Sequence, residues 1–151
     1  MMAFVPEELV SLPADGAWAA WLTSAQVEGR TAVVLVSIAV TALDSPLEAA
    51  RAGEPLAARV RARYPEGTAL IEEFTTPGGY RAVDVRRVVT QRVDGRDVTT
   101  GQAQVLVVYP GPGALGVVSG VALDPDDLDR AAALVTGIAA GMTVTSAPAA
   151  A

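Results

Sequence analysis

The feature that most constrains the fold is a run of four strand-like segments between residues 69 and 123. They are separated by short turn sequences, "PGG", Asp94-Gly95 and "PGPG". Asp-Gly is a strong signal for a two-residue hairpin, and consecutive Pro and Gly residues cannot continue a strand ladder. The sequence therefore predicts an antiparallel meander with strands over 69–76, 80–93, 98–110 and 114–123.

Two more strands are predicted before this meander. Residues 31–43 are nearly all apolar and rich in β-branched side chains, which is typical of a central strand. Glu28-Gly29 is a turn signal, so this strand is expected to form a hairpin with residues 18–27. Together with the meander, these segments give an antiparallel sheet of about six strands.

A kinked or broken helix is predicted after the central strand, from about residue 45 to 64. Ser45, Pro46 and Glu48 have the spacing of a capping box with Pro at the first helical position. Gly53 and Pro55 then interrupt the helix. A one-sided apolar stripe continues it, formed by Leu56, Val60 and Tyr64.

The stretch "DPDDLD" at 124–129 places four carboxylates in six residues, which raises the question of a metal site. Its spacing does not match a calcium loop, which requires ligands at alternating positions and a closing Glu. We interpret Asp124 as a helix N-cap followed by Pro125, with Asp127 reaching back toward the cap. The helix that follows shows an apolar stripe, comprising Leu128, Ala131, Val135, Ile138 and Met142.

The predicted fold class is therefore α+β, an antiparallel sheet with a kinked helix and a C-terminal amphipathic helix packed on it. Residues 1–145 are expected to form a single domain. Gly141 should close the last helix, and 142–145 form a short strand or an extended tail. Residues 146–151 are expected to be disordered.

The strand over 80–93 has a pattern with two explanations. Its valines at 83, 85, 89 and 93 share one side of the strand, but Arg87 falls among them and Val88 on the other side. Either a bulge lies near Arg86-Arg87, or both faces of the sheet are partly covered there.

The amino-acid composition limits which catalytic and metal-binding sites the chain can form. The chain contains no histidine, cysteine or lysine, so imidazole bases, thiolates, Schiff bases and Cys/His metal sites are excluded. We expect no cofactor, no metal and no catalytic residues. A net charge of −6 argues against a nucleic-acid partner. The apolar runs are too short for membrane insertion, and the N-terminus does not resemble a secretory signal, so a cytoplasmic protein is expected.

The order of these elements resembles the PsbP-like fold family. The likeness rests on "YPEGTALIEEFTTPGGYRAVDVRR" (64–87) and "DLDRAAALVTGIAAGMTV" (127–144), and covers about residues 18–145. Relatives include an extrinsic photosystem subunit, a Ran-binding nuclear-import factor, LpqN-type actinobacterial proteins and Eag secretion chaperones. The resemblance implies a non-enzymatic adaptor. The lack of a signal peptide and lipobox favours the cytoplasmic members, such as the secretion chaperones.

The candidate contact residues are two tryptophans, two tyrosines and two arginines. Trp18 and Trp21 are expected to point to opposite sheet faces, either as core and rim packing or with one ring contacting a partner. Tyr80 and Tyr109 lie at strand ends, where they line a pocket mouth or pack with a wet hydroxyl. We name Trp18, Trp21, Tyr80 and Tyr109, with Arg86 and Arg87, as candidate partner-binding residues.

Five arginines share the hairpin over 80–98. They either form a site for an anion or an acidic partner, or they are solvated and pair with neighbouring carboxylates. The arginines are Arg81, Arg86, Arg87, Arg92 and Arg96, and the carboxylates are Asp84, Asp94 and Asp97.

Two features are expected to be structural only. Glu72 and Glu73 are adjacent in a strand and should face opposite ways, so they do not form an acid/base pair. The loop over 109–116 lacks a following helix N-terminus and is expected to be a plain turn.

Three functions remain open. The first is a non-enzymatic binding module with a protein partner, an adaptor or chaperone that needs an exposed apolar groove. The second is a small-molecule-binding protein or enzyme with a pocket under the C-terminal helix and a lone carboxylate, Asp84 or Glu72, as base. The third is a structural subunit of a homo-oligomer.

Overall fold

The computed structural model describes residues 11–13, 18–42, 56–64, 67–110 and 113–145. Strands and helices follow one another as β1 (Ser11–Pro13), β2 (Trp18–Val27), β3 (Arg30–Ala42), α1 (Leu56–Arg61), β4 (Leu70–Thr75), β5 (Arg81–Val93), β6 (Arg96–Tyr109), β7 (Ala114–Ala122), a 3-10 turn (Pro125–Asp127), α2 (Leu128–Gly141) and β8 (Thr143–Thr145).

Six strands form one antiparallel sheet in the order β2-β3-β7-β6-β5-β4. The predicted meander is confirmed as β4 to β7, and the predicted hairpin as β2 and β3. The central position of β3 is also confirmed, since it lies between β2 and β7. With α2, the sheet gives the α+β class that the sequence predicted.

Both hairpin turns have positive φ angles, which Asp94 and the two glycines favour and which Glu28 adopts against its own preference. Glu28 and Gly29 have φ angles of 49° and 81°, and Asp94 and Gly95 have 51° and 78°. Two successive residues with positive φ match the right-handed twist of the flanking strands, which is why Asp-Gly is selected there. The β6–β7 loop contains a hydrogen bond from Gly113 N–H to the Pro110 carbonyl, as expected for a turn.

The pairing of β5 with β6 decides between the two explanations of the valine and arginine pattern. Their register is continuous from Ala82↔Val107 to Val93↔Arg96, so this ladder has no bulge. Both sheet faces are instead partly covered at β5. α1 packs on one face over Val83 and Val85, and α2 packs on the other.

The face under α2, here called the α2 face, holds the larger core. β3 contributes Val34, Val36 and Ile38, and α2 contributes Ala131 and Val135, all of them fully buried. The predicted helical stripe is confirmed. Small residues let the helix lie close to the sheet, since a Cβ on Gly120 would come 3.0 Å from Val135 Cγ1.

The opposite face, here called the α1 face, carries a smaller core. Leu56, Ala57 and Val60 of α1 are buried against β4 and β5. The predicted kinked helix from 45 to 64 is not shown, because the described helix spans only Leu56–Arg61. Its expected capping box lies outside the described residues, as do the tail at 146–151 and the N-terminal residues before Ser11.

The acidic stretch begins α2 through a 3-10 turn. Asp124 accepts a hydrogen bond from Asp126 N–H at 2.9 Å, so its capping role is confirmed. The prediction for Asp127 was wrong. Its side chain makes no cap hydrogen bond because both carboxylate oxygens accept from the Arg30 guanidinium at the start of β3.

Of the two alternatives for 142–145, a short strand or an extended tail, the structure shows the strand, β8. It pairs in parallel with β1, from Ser11↔Thr143 to Pro13↔Thr145, a partner that the sequence did not indicate. Across the part of the chain that the structure describes, no helix has the length and apolar character needed to cross a membrane.

Candidate binding groove

An open groove lies on the α1 face, between the segment that follows α1 and the strands at the middle of the sheet. Its volume is about 220 Å³. Side chains from three neighbouring strands and from the segment after α1 line it, namely Tyr64, Val85, Arg87, Gln102, Gln104, Ser119 and Val121. We call this site the groove.

Its polar side chains are joined by cross-strand pairing. Arg87 on β5 is directly opposite Gln102 on β6, and donates from Nη2 to Gln102 Oε1 at 3.0 Å. Gln104 is opposite Ser119 on β7, and donates from Nε2 to Ser119 Oγ at 3.1 Å. Register places these partners on one face, so the two pairs form a hydrogen-bonded polar strip across the groove.

Tyr64 forms the wall on the α1 side. The Arg87 guanidinium carbon lies 5.2 Å from the centroid of its ring, within the range of a cation–π contact. Its hydroxyl is 3.5 Å from Gln104 Oε1, a long contact. The ring and the Gln102 amide together orient the guanidinium without neutralising its charge.

Apolar side chains continue the groove toward β2. Leu22 is opposite Leu35, Leu35 is opposite Val121, and Val121 is opposite Gln102, which is opposite Arg87. Leu22 and Leu35 are 47% and 42% exposed, high values for leucines in adjacent strands. We call these five residues the cross-strand row. It runs from an apolar end on β2 to a cationic end on β5.

Most of the hairpin arginines are in ion pairs. Arg81 lies 2.9 Å from Glu73, and Arg92 lies 3.5 Å from Asp97. This is the alternative in which strand arginines pair with neighbouring carboxylates, although Glu73 was not among the carboxylates predicted. Asp94 occupies a hairpin turn, and Arg96 is exposed at the start of β6.

Arg86 belongs to the same paired group. Its guanidinium lies 2.8 Å from Asp84 Oδ2 and 3.9 Å from Asp129 of α2. The hydrogen bond to Asp84 raises the pKa of Arg86 above its ordinary value, although burial works against this. Arg86 lies on the α2 face and does not reach the groove. Of the two arginines proposed as contact residues, only Arg87 lines it.

The aromatic candidates lie away from the groove. Tyr109 is fully buried in the larger core, and its hydroxyl donates to the Met142 carbonyl at 3.3 Å. Burial raises the pKa of Tyr109 above its ordinary value. The ring of Tyr80 packs on it with centroids 4.7 Å apart. Tyr109 therefore neither lines a pocket mouth nor has a wet hydroxyl.

The two tryptophans have different outcomes. Trp21 is partly buried against the larger core, on the α2 face, and its Nε1 is buried with no hydrogen-bond partner among the described residues. Trp18 lies in β2, opposite Ala39. Its side chain is outside what the structure describes, so its predicted contact role stays a prediction.

Glu72 and Glu73 face opposite ways, as expected. Glu72 is opposite Asp84, on the α2 face. Glu73 lies on the other face, where it accepts from Ala57 N–H at 3.0 Å and from Arg81. Burial alone would raise the pKa of Glu73, but these hydrogen bonds outweigh it and hold the pKa below its ordinary value.

Asp84 is buried, and one of its oxygens, Oδ1, has no hydrogen-bond partner among the described residues. Asp84 and Glu72 were the candidate bases for a pocket under the C-terminal helix. Both residues do lie on the α2 face, but the groove that the described residues form is on the α1 face. The sheet separates it from both carboxylates.

Tyr64, Gln102, Gln104 and Ser119 were not recognised as site residues. One signal was present in the sequence. Gln102 and Gln104 alternate with apolar residues in "GQAQVLVV", and two amides at i and i+2 of a strand face the same side. Polar side chains at the centre of a buried strand indicate an uncovered or hydrogen-bonded patch.

Comparison with known sequences leaves the family undecided. No family model matches the chain, and no match was found among the curated proteins. The resemblance to the PsbP-like family therefore stays a prediction.

Proposed function

We propose that the protein is a non-enzymatic binding module that takes a segment of a partner protein along the cross-strand row and in the groove. The observation that carries this proposal is the position of exposed Leu22 and Leu35 beside the hydrogen-bonding groups of Gln102 and Arg87. Apolar contacts supply affinity, and the polar strip supplies orientation.

The size and shape of the groove favour a polypeptide over a small molecule. Pockets for small ligands usually enclose about 300–1,000 Å³, whereas this groove has about 220 Å³ and is open. It accommodates one or two side chains of a larger partner. The apolar end of the cross-strand row, beside the groove, extends the contact area, as a protein interface requires.

The groups that line the groove are suited to binding. The Ser119 and Tyr64 hydroxyls interact with the Gln104 amide, which cannot act as a general base at neutral pH. With no histidine, cysteine or lysine in the chain, activation of either hydroxyl would require a carboxylate. The lining residues that the structure describes do not include one.

Affinity purification from native cells tests this proposal. Tagged wild-type protein should recover one stoichiometric partner, and Leu35→Glu should lose it, because a charge in the middle of the apolar row opposes burial. Leu70→Glu is the matched control, since Leu70 is 57% exposed and lies on the other face, opposite Arg86. Melting temperatures of both variants equal to that of wild type would show that neither effect arises from unfolding.

Recovery of the bare protein in repeated purifications would contradict the proposal. So would recovery of the same partner with Leu35→Glu and wild type. A partner lost equally with Leu35→Glu and Leu70→Glu would indicate a general effect of added charge, not a site on the α1 face.

A structural subunit of a homo-oligomer is the second candidate. β2 is an edge strand of the sheet, and none of its ten residues is charged. Uncharged edges are templates for strand pairing, whereas the other edge, β4, carries Glu72 and Glu73. Light scattering over a concentration series should detect a dimer that Ala20→Lys dissociates. A monomer at all concentrations would exclude this candidate.

A further inference from the structure

Arg87 differs from the three ion-pairing arginines of β5. Arg81, Arg86 and Arg92 each lie within 4 Å of a carboxylate in the structure. Arg87 makes no ion pair within the described residues, although it is partly buried. Its contacts are with the neutral Gln102 amide and the Tyr64 ring. A guanidinium has five N–H donors, and one of them is used here.

We propose that Arg87 binds a carboxylate of the partner segment. The same segment also carries an apolar side chain, a few residues away from the carboxylate, that packs on Leu35. This inference rests on the proposed function and names the chemistry of the partner. A free guanidinium in a groove prefers a carboxylate because two parallel hydrogen bonds then accompany the charge attraction. Tyr64 and Gln102 hold the guanidinium in place, which lowers the entropic cost of binding.

The charge distribution supports an acidic ligand at this end of the row. The chain as a whole has a net charge of −6, which would repel an acidic partner from most of its surface. The groove is an exception. Among the described residues, its lining contains an arginine and no carboxylate, and Arg61 of the adjacent α1 donates to the Ile71 carbonyl. Attraction at one site and repulsion elsewhere give specificity.

Sheet geometry sets the spacing of the two ligand groups. Arg87 is on β5 and Leu35 is on β3, with β6 and β7 between them. Adjacent strands are about 4.8 Å apart, so three steps cover about 14 Å, and an extended chain covers this distance in about four residues at 3.3 Å each. A segment that crosses the strands should therefore carry its acid about four residues from a large apolar side chain.

Peptide titrations followed by NMR test the proposal, because they measure weak binding and identify the site. The probes are short flexible peptides of Gly and Ser with one Leu and one Glu separated by two to six positions, with both ends blocked. Matched peptides carry Gln in place of Glu. A third set places the only carboxylate at the free C-terminus, which distinguishes a chain end from an acidic side chain as its source.

The expected result is a maximum of affinity near a spacing of four, with shifts in the Gln102 side-chain amide signals. Replacing Glu by Gln in the peptide, or Arg87→Gln in the protein, should each weaken binding about tenfold, the usual effect of losing a charged hydrogen bond. Combining both changes should add little. Arg92→Gln is the control, since it removes the same charge from β5 at a side chain that is 72% exposed.

Three results would overturn this inference. They are the absence of shifts with every peptide, equal binding of Glu and Gln peptides, and equal effects of Arg87→Gln and Arg92→Gln. Binding of the native partner to two variants distinguishes this inference from the proposed function. A partner lost with Leu35→Glu but retained at full affinity with Arg87→Gln would leave the binding module in place and remove the role of Arg87.

Discussion

The ion pair between Arg30 and Asp127 should be a main determinant of stability against acid. It joins the start of β3 to the start of α2, 97 residues apart in sequence, with Nη1 donating to Oδ2 at 2.8 Å and Nη2 donating to Oδ1. The Asp127 side chain is 4% exposed, whereas that of Arg30 is 40% exposed. The perturbation is Arg30→Ala, which leaves this carboxylate buried without its cation.

The expected cost follows from this difference in exposure. Breaking a fully buried ion pair costs about 3–5 kcal/mol, whereas an exposed pair contributes about 0–1 kcal/mol. Water can reach the Arg30 side of the pair and hydrate part of the carboxylate. We therefore expect a loss between these two limits, larger than that from an exposed pair, and a corresponding fall in melting temperature.

The effect should depend on pH with a definite sign. Hydrogen bonds from Arg30 hold the pKa of Asp127 below its ordinary value, although burial opposes them. The unfolded state therefore takes up a proton at a higher pH than the folded state. The contribution is fully present above the ordinary aspartate pKa of about 3.9, and is lost as pH falls through the lower folded value.

Urea unfolding of wild type and Arg30→Ala from neutral pH down to about pH 2 measures both the size and the sign. The difference should be largest at neutral pH and shrink in acid. Arg92→Ala is the control, because its pair with Asp97 is about 70% exposed on both sides and should change stability by less than about 1 kcal/mol. A loss from Arg30→Ala no larger than this control, or one independent of pH, would refute the reasoning.

Three further substitutions test the fold. Gly116→Ala should cost about 1–3 kcal/mol in chemical denaturation, because its Cβ would lie 2.9 Å from Tyr109 Cε2; an unchanged stability would show that the core can relax. Gly95→Ala should cost about 1 kcal/mol, since φ is 78° and alanine is strained there; a neutral effect would contradict the hairpin geometry. Asp124→Ala should cost about 0.5–2 kcal/mol through loss of the cap to Asp126 N–H, with partner binding unchanged in the same pull-down assay.

Local sequence determined most of the secondary structure. The strands follow from their β-branched and alternating apolar residues, and the hairpins follow from the turn signals Glu28-Gly29 and Asp94-Gly95, in which Asp94 and the two glycines readily adopt positive φ angles. The cap at Asp124 and the stripe of α2 are also local, because each depends on residues at most four positions apart. These signals were sufficient to predict the meander and the C-terminal helix.

The site depended on tertiary structure. Tyr64, Arg87, Gln102 and Ser119 belong to four different elements or loops, and only the registers of β5, β6 and β7 bring them to one groove. The sequence identified five arginines on a hairpin but could not tell that Arg87 lies in the groove with no carboxylate partner among the described residues, since that depends on which sheet face each side chain occupies and what packs there.

The same reason explains why the sequence did not predict two long-range contacts. Asp127 had a plausible local role in the helix cap, but Arg30 competes for its carboxylate from 97 residues away. β8 was expected, but its parallel partner β1 was not, because pairing between Ser11–Pro13 and Thr143–Thr145 leaves no periodic signal in such short segments. Local propensity sets which segments form strands and helices, whereas long-range packing decides which of their side chains meet.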